Sequence, residues 1–141
     1  MNKDLRPFHL AFPVLNINET IQWYTNILGC KIGRQDKRWV DFNFHGHQIS
    51  AHLVDQEIKF KNINIVDGEN IPCRHFGIIL SQAEWNKLSK ELILKKINFI
   101  IKPNTRFKGK KGEQSTFFIK DPSGNVLEFK SFKNDKMIFD N

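Results

Sequence analysis

The sequence predicts an α+β fold built from two copies of one βαβββ module. Each copy opens with a short strand pattern that contains a histidine, His9 in the first copy and His75 in the second. A helical pattern follows in each copy, over 18–28 and 82–95, and further short strands come after it. Two copies of one module pack against each other to bury their apolar faces, so we expect a curved mixed sheet around a shared cavity.

The first module is expected over about residues 7–54. Its opening strand, 8–14, alternates small or polar side chains with large apolar ones. The helix over 18–28 has Asn18 as its expected N-cap, apolar side chains at helical spacing, and Gly29 where it ends. The strands that follow are expected at 30–35, 39–45 and 47–54.

Residues 55–72 are polar and irregular, and we interpret them as the linker between the modules. The second module is expected over about 73–133. The segment Ser81-Gln82-Ala83-Glu84 has the pattern of a capping box, which predicts the start of the second helix. Its strands are expected at 74–80, 98–102, 115–120 and 126–132, with a basic loop over 103–113 and a tight turn over 121–125.

Composition limits the function classes. The chain has 141 residues, of which 40% are apolar, enough for a single folded domain. No apolar run approaches the roughly 20 residues that span a bilayer, and no apolar signal segment opens the sequence, so we expect a cytoplasmic protein without a membrane partner.

The net charge is +7, but the basic residues are scattered and no nucleic-acid-binding motif accompanies them. We therefore expect no nucleic-acid partner. The two cysteines form no CxxC motif and are expected as free thiols.

Four residues with metal-binding side chains lie on the smaller or more polar face of their predicted strands. The opposite face of each strand is apolar and is expected to pack under a helix, which leaves these residues on an open concavity. A buried carboxylate without a partner is costly, and a cation in the cavity relieves that cost. We therefore predict a site for one divalent metal ion. The four candidate ligands are His9, His52, His75 and Glu128. Their spacing makes His52 the expected equivalent of Glu128: His9 and His52 are 43 residues apart, His75 and Glu128 are 53 apart, and the ten-residue difference is about the length of the basic loop.

Other chemistries lack support in the sequence. It contains no GxSxG elbow, no GxGxxG and no phosphate-binding loop ending in Gly-Lys-Ser/Thr. The cluster of basic and polar residues in the second half favours an anionic small-molecule substrate instead. The candidate substrate contacts are Arg106, Lys108, Gln114, Thr116 and Lys130.

Several segments resemble the vicinal oxygen chelate superfamily. They are FHLAFPV at 8–14, WYTNILGC at 23–30 and DPSGNVLEFK at 121–130. This superfamily includes glyoxalase I, bleomycin-resistance proteins, fosfomycin-modifying thiol transferases and type I extradiol dioxygenases. The resemblance covers about residues 7–133. It implies paired βαβββ modules around a metal, a small-molecule substrate and, commonly, a homodimer.

Within the superfamily, the segments 39–53, 75–77 and 106–114 are most similar to the small predicted extradiol-type dioxygenases. The resemblance implies Fe(II) bound by two histidines and one carboxylate, with open positions for substrate oxygens and O₂. His52 would be a fourth ligand or the catalytic acid/base. The implied ligands of Fe(II) are His9, His75 and Glu128.

Two alternatives remain open. Zn(II), Ni(II) or Mn(II) would suit a glyoxalase-like lyase or isomerase, or a thiol transferase, whereas a bleomycin-resistance-type binder would need no metal. The chain also departs from the extradiol pattern. Those enzymes usually carry a tyrosine on the strand before the carboxylate strand, where this sequence has Phe117 and Phe118.

Overall fold

The computed structural model describes residues 5–141. They group into two compact units. The first contains the chain up to Lys59 together with Pro122–Gly124, and the second contains the rest. Each unit holds one βαβββ module, so the predicted fold class is confirmed. No helix in the described part of the chain is long and apolar enough to cross a membrane.

The first unit contains β1 (His9–Val14), α1 (Ile17–Asn26), β2 (Lys31–Asp36), β3 (Trp39–Phe44) and β4 (His47–Leu53). Its sheet is mixed, with the strand order β1-β4-β3-β2. β1 runs parallel to β4, and the other neighbours are antiparallel.

Helix α1 begins earlier than expected because its N-cap is Asn16 and not Asn18. The Asn16 side-chain oxygen accepts a hydrogen bond from the Glu19 backbone N–H at 2.8 Å, which satisfies a donor that the first turn leaves free. The buried face of the helix carries Tyr24, whose ring stacks on Phe42 of the sheet with the centroids 5.0 Å apart.

The module of the second unit contains β7 (Phe76–Ile79), α2 (Gln82–Leu94), β8 (Phe99–Arg106), β9 (Gln114–Lys120) and β10 (Val126–Phe132), followed by a short 3₁₀ helix, Asp135–Met137. It repeats the arrangement of the first, with the strand order β7-β10-β9-β8. The capping box of α2 is confirmed, since Ser81 and Glu84 each bond the backbone N–H of the other. Trp85 lies on the buried face of α2 and donates its indole N–H to the carbonyl of Phe129 at 2.9 Å.

The segment expected as an irregular linker contains a β-hairpin. Its strands are β5 (Ile63–Val66) and β6 (Glu69–Pro72). The hairpin contributes Ile71, fully buried, to an apolar cluster whose other buried members are Ile101, Phe118 and Val126. Phe118 lies opposite Glu128 in the register of β9 and β10. The hairpin therefore packs on the sheet face that carries Glu128.

Strand β8 is longer than predicted. It continues through Pro103 to Arg106, so the basic loop is confined to 107–113. The pairing of β8 with β9 shifts register twice, between 99 and 101 and between 101 and 104. A proline has no N–H for the ladder, and such irregular positions on an edge strand accommodate it.

Both cysteines are free thiols, as predicted. Cys30 is buried, and burial raises the pKa of its thiol to about 12. Cys73 is exposed, two residues before His75.

Candidate metal centre

His75 and Glu128 lie together in the second unit. His75 Nε2 is 3.3 Å from Glu128 Oε2. His75 immediately precedes β7, and Glu128 lies within β10 opposite Gly77. Both side chains line a hollow of about 210 Å³, together with Lys130 and the residues of β7.

The close approach of β7 and β10 depends on Gly77. A Cβ atom at this position would lie 1.5 Å from the backbone oxygen of Glu128. No other residue type fits there without displacing the strand, because a backbone oxygen cannot rotate away as a side chain can. Gly77 therefore allows the strand that carries Glu128 to lie directly beside the strand that follows His75.

The orientation of the His75 ring is fixed by a backbone carbonyl. Its Nδ1 is 2.8 Å from the carbonyl oxygen of Pro72. A carbonyl only accepts, so Nδ1 carries the hydrogen and Nε2 is directed at Glu128. Metal-bound histidines commonly hold their second nitrogen in this way. The ring also contacts Phe118, with the centroids 5.5 Å apart.

Glu128 is held as a carboxylate by its neighbours. Burial alone raises its pKa, but the hydrogen bond with His75, the positive charge of Lys130 and the hydrogen bond from Thr116 together lower the pKa below its ordinary value. Thr116 Oγ1 donates to Oε1 at 3.1 Å, and Lys130 Nζ is 3.5 Å from the same oxygen. The carboxylate is therefore available as an anionic ligand.

The donor pair fits a divalent ion. Two ligands that bind one ion at about 2.1 Å, with an angle of about 90° to 110° between them, are roughly 3.0 to 3.4 Å apart. The separation of His75 Nε2 and Glu128 Oε2 is 3.3 Å. Among residues 5–141, no group of three or more His, Cys, Asp and Glu side chains is arranged to hold a metal. The structure thus shows two fitting ligands, and the rest of the ligand set stays a prediction.

The same pair predicts a pH dependence in the metal-free protein. The hydrogen bond to Glu128 raises the pKa of His75, although burial opposes it. The stability that this pairing contributes is therefore full below the pKa of His75 in the unfolded chain and is lost as the pH rises through the raised value. We expect Glu128→Gln to lower the pKa of His75. An NMR titration of the ring measures this change. An unchanged pKa would show that the two groups do not interact in solution.

His9 and His52 are separated within the first unit. The register of β1 and β4 pairs His9 with Gln48 and Pro13 with His52. This offset of four residues corresponds to about 13 Å along the strand. Both histidines are exposed, and the first unit by itself does not bring them to a common ion.

The register also corrects the equivalence between His52 and Glu128. In the second module Glu128 lies opposite Gly77, and the corresponding partner of Ala11 in the first module is Ser50. His52 is two residues further along β4. Matching the modules by residue spacing was misleading because their loops differ in length. This position does not support His52 as the equivalent of Glu128, and its acid/base role stays a prediction.

Two of the five predicted substrate contacts lie at Glu128, and they differ in kind. Thr116 is almost fully buried and bonds the carboxylate, so it positions the ligand. Lys130 lines the hollow itself. Gln114 starts β9 opposite Phe132, two residues before Thr116 and four residues before Phe118, which lies opposite Glu128.

The other predicted contacts have different neighbours. Arg106 Nη2 is 2.7 Å from Asp67 Oδ2 at the turn of the β5–β6 hairpin, which ties this hairpin to the end of β8. Lys108 is exposed in the 107–113 loop. This loop bonds to the chain's last residues, with the Lys133 N–H donating to the carbonyl of Glu113 at 3.0 Å. Substrate roles for these residues stay predictions.

Comparison with known proteins identifies the family. The model of the Glyoxalase/Bleomycin resistance protein/Dioxygenase superfamily matches residues 6–129. The chain belongs to this superfamily. Superfamily members typically bind a divalent metal, and many are enzymes. Proteins of this fold commonly bind small molecules and are often dimeric.

Three known proteins are similar to this chain over most of its length. A crystal structure of a glyoxalase/bleomycin resistance protein/dioxygenase from Alicyclobacillus acidocaldarius is 32% identical, with a TM-score of 0.81 over 99% of this chain and 100% of that one. A virulence protein of Salmonella typhimurium is 24% identical over 124 residues, 88% of this chain and 82% of its own. The genomically encoded fosfomycin resistance protein of Listeria monocytogenes shares the fold, with 14% identity and a TM-score of 0.66 over 97% of this chain and 98% of that one.

The sequence patterns do not indicate several residues that contact a candidate ligand or support such a contact. Pro72 acts through its backbone carbonyl, which has no signature in a sequence. Phe118 entered the sequence analysis only as a departure from the extradiol pattern, although strand alternation in β9 places it on the face of Glu128. Gln48 and Asp41 form hydrogen bonds that depend on the register of β1, β4 and β3, and no local pattern indicates them.

Proposed function

We propose that the protein is a metal-dependent enzyme that acts on a small molecule whose oxygen atoms bind the metal. The observation that carries this proposal is the His75–Glu128 pair, with its 3.3 Å donor separation and its fixed His75 ring. We further propose His9 as the third protein ligand, which completes a set of two histidines and one carboxylate.

A divalent ion bound there would act as a Lewis acid toward substrate oxygens and, as Fe(II), would also bind O₂. The protein's own residues supply the rest. Lys130 places a positive charge 3.5 Å from Glu128 and lines the same hollow, where it can hold a negatively charged substrate oxygen. Phe118 and the β5–β6 hairpin cover this face of the sheet with apolar side chains, which limits the access of water. His52 is the proposed acid/base that moves a proton on the substrate.

The first candidate reaction is extradiol-type cleavage of a vicinal-diol aromatic by O₂. The proposed ligand set is the one that non-haem Fe(II) oxygenases use, because it leaves open positions for a chelating substrate and for O₂. Fe(II) is accordingly the favoured metal. We propose that the enzyme works as a homodimer, as is common in the superfamily.

A second candidate is an O₂-independent lyase, isomerase or thiol transferase that uses Zn(II), Ni(II) or Mn(II). The observation that favours it is Phe118, which contacts the His75 ring and faces Glu128 but has no hydroxyl group. A phenol at the site could donate a hydrogen bond to a reacting oxygen, and a phenyl ring cannot. The intact metal-ligand pair argues against a non-catalytic binder.

Parallel assays of metal-loaded protein distinguish these reactions. Protein loaded anaerobically with Fe(II) is expected to consume O₂ with at least one member of a catechol panel, and Glu128→Gln protein is not. Protein loaded with Ni(II) or Zn(II) is assayed beside it with methylglyoxal and a thiol. Turnover only in the second assay would support the second candidate. Protein that stays metal-free after reconstitution would refute both.

A further inference from the structure

We propose that Asp41 and Gln48 form a positioning relay that sets the tautomer of His9 and leaves Nε2 as its metal-binding nitrogen. The role of the relay in metal binding rests on the proposed function. Its effect on the His9 ring is a property of the metal-free first unit and can be tested separately.

The relay is a continuous chain of hydrogen bonds across three strands. His9 Nδ1 on β1 is 2.8 Å from Gln48 Oε1 on β4. Gln48 Nε2 is 3.3 Å from Asp41 Oδ2 on β3. Ser50 on β4 donates its hydroxyl to Asp41 Oδ1 at 2.5 Å. Arg34 Nε lies 3.9 Å from Asp41 Oδ2 and places a positive charge beside the carboxylate.

The direction of each bond follows from what each group can donate. A carboxylate only accepts, so the NH₂ group of Gln48 must face Asp41. The amide oxygen of Gln48 then faces His9, and this oxygen also only accepts. His9 Nδ1 must therefore carry the hydrogen. A neutral imidazole has a single N–H, so the lone pair is on Nε2.

The anchor of the relay is rigid. Asp41 is 7% exposed and Ser50 is 4% exposed, whereas His9 and Gln48 are exposed. A buried carboxylate with two hydrogen-bond donors cannot turn away from Gln48 without losing a bond in a poorly hydrated position. Asp41 therefore determines the orientation of the Gln48 amide, and the amide determines the tautomer of His9.

The second module achieves the same result by other means. There the Pro72 carbonyl accepts from Nδ1 of His75 and directs its Nε2 toward Glu128. The two modules also carry their carboxylates on different strands. Asp41 lies on β3 opposite Ser50, whereas Glu128 lies on β10 opposite Phe118. In the first module the carboxylate of Asp41 thus acts on His9 indirectly, through Gln48. In the second module the carboxylate of Glu128 lies directly beside His75.

Long-range ¹H–¹⁵N NMR spectra of metal-free protein with labelled histidines test the relay directly. At alkaline pH, where imidazoles are neutral, His9 is expected as the Nδ1–H tautomer. Gln48→Leu removes the acceptor, so His9 should shift to the Nε2–H form that unconstrained imidazoles prefer. Gln35→Leu, the same change on β2 of this unit, should leave His9 unaltered. A wild-type Nε2–H form, or an unaltered tautomer in Gln48→Leu, would overturn the proposal.

Two further variants serve if Gln48→Leu does not fold. Gln48→Glu keeps an acceptor toward His9 and should retain the Nδ1–H form. Asp41→Asn can donate as well as accept, which lets the Gln48 amide flip, and it should give a mixture of tautomers. A pure Nδ1–H form in Asp41→Asn would show that Asp41 does not orient the amide.

Zn(II) titration tests the consequence for metal binding. Losing an outer partner of a ligating histidine typically costs about 10- to 100-fold in affinity, and we expect a loss in this range for Gln48→Leu. Wild-type affinity in this variant would overturn the metal-binding part of the proposal. Failure of the wild-type protein to bind Zn(II), together with the expected tautomers, would refute the proposed function and leave the relay in place.

Discussion

Replacing Glu128 with glutamine is expected to lower the affinity for Zn(II) by more than about 100-fold, beyond the usual loss of an outer-shell partner. Glu128 is the single anionic member of the proposed ligand set, and an amide oxygen carries no charge to balance the ion. The hydrogen bond that Thr116 donates can still form to the amide oxygen. Competition with a chromophoric chelator measures the affinity.

Glu113→Gln is the matched control for this experiment. Glu113 belongs to the same unit, but its carboxylate accepts from the Gly109 N–H at 2.7 Å and pairs with Lys133. It is not among the residues that line the hollow at Glu128. We expect wild-type Zn(II) affinity for Glu113→Gln. Equal affinities in all three proteins would exclude Glu128 as a ligand, and equal losses in both variants would point to a general effect of charge.

The sequence predicts best those elements whose ends are fixed by local chemistry. Strand β10 begins and ends where predicted because a tight turn precedes it, in which Asp121 Oδ1 accepts from the Asn125 N–H at 2.9 Å. The start of α2 follows from the reciprocal bonds of Ser81 and Glu84. Both signals depend on residues at most four positions apart, so they can be read without knowledge of the fold.

Elements that depend on tertiary contacts could not be predicted in the same way. Ile63 and Ile65 of the β5–β6 hairpin are exposed, so their alternation with Asn64 does not mark a buried face. The stability of the hairpin comes from contacts such as the insertion of Ile71 beside Phe118, more than 40 residues away in the sequence. The segment 55–72 as a whole is mostly polar, and this composition is typical of a linker.

The same distinction, between local patterns and tertiary contacts, applies to the residues of the candidate site. His75 and Glu128 were predicted because strand alternation places each on a polar face, and the structure brings them to 3.3 Å. The position of His52 was inferred from residue spacing. Spacing includes loops and bulges, whereas the face and depth of a side chain in a sheet depend on register, which a single sequence does not contain.

Replacing Gly77 with alanine is expected to destabilise the protein by about 3 kcal/mol or more, at or above the upper end of the usual cost of overpacking. The added Cβ would lie 1.5 Å from the backbone oxygen of Glu128, so β7 and β10 would have to separate. This separation breaks the parallel pairing that joins β7 to the sheet. The free energy of unfolding from urea denaturation measures the loss.

Gly33→Ala provides the matched control, because the same change in β2 would bring a Cβ no closer than 3.4 Å to the nearest atom, Cβ of Asp41. We expect it to change the free energy of unfolding by less than about 1 kcal/mol.

Gly77→Ala should also weaken Zn(II) binding under conditions where it remains folded, since the displaced backbone belongs to Glu128 itself. Wild-type stability and affinity in Gly77→Ala would mean that the two strands are further apart in solution than in this structure. Loss of stability with retained affinity would mean that the carboxylate reaches the ion from a displaced strand, so that the position of β10 matters for the fold but not for metal binding.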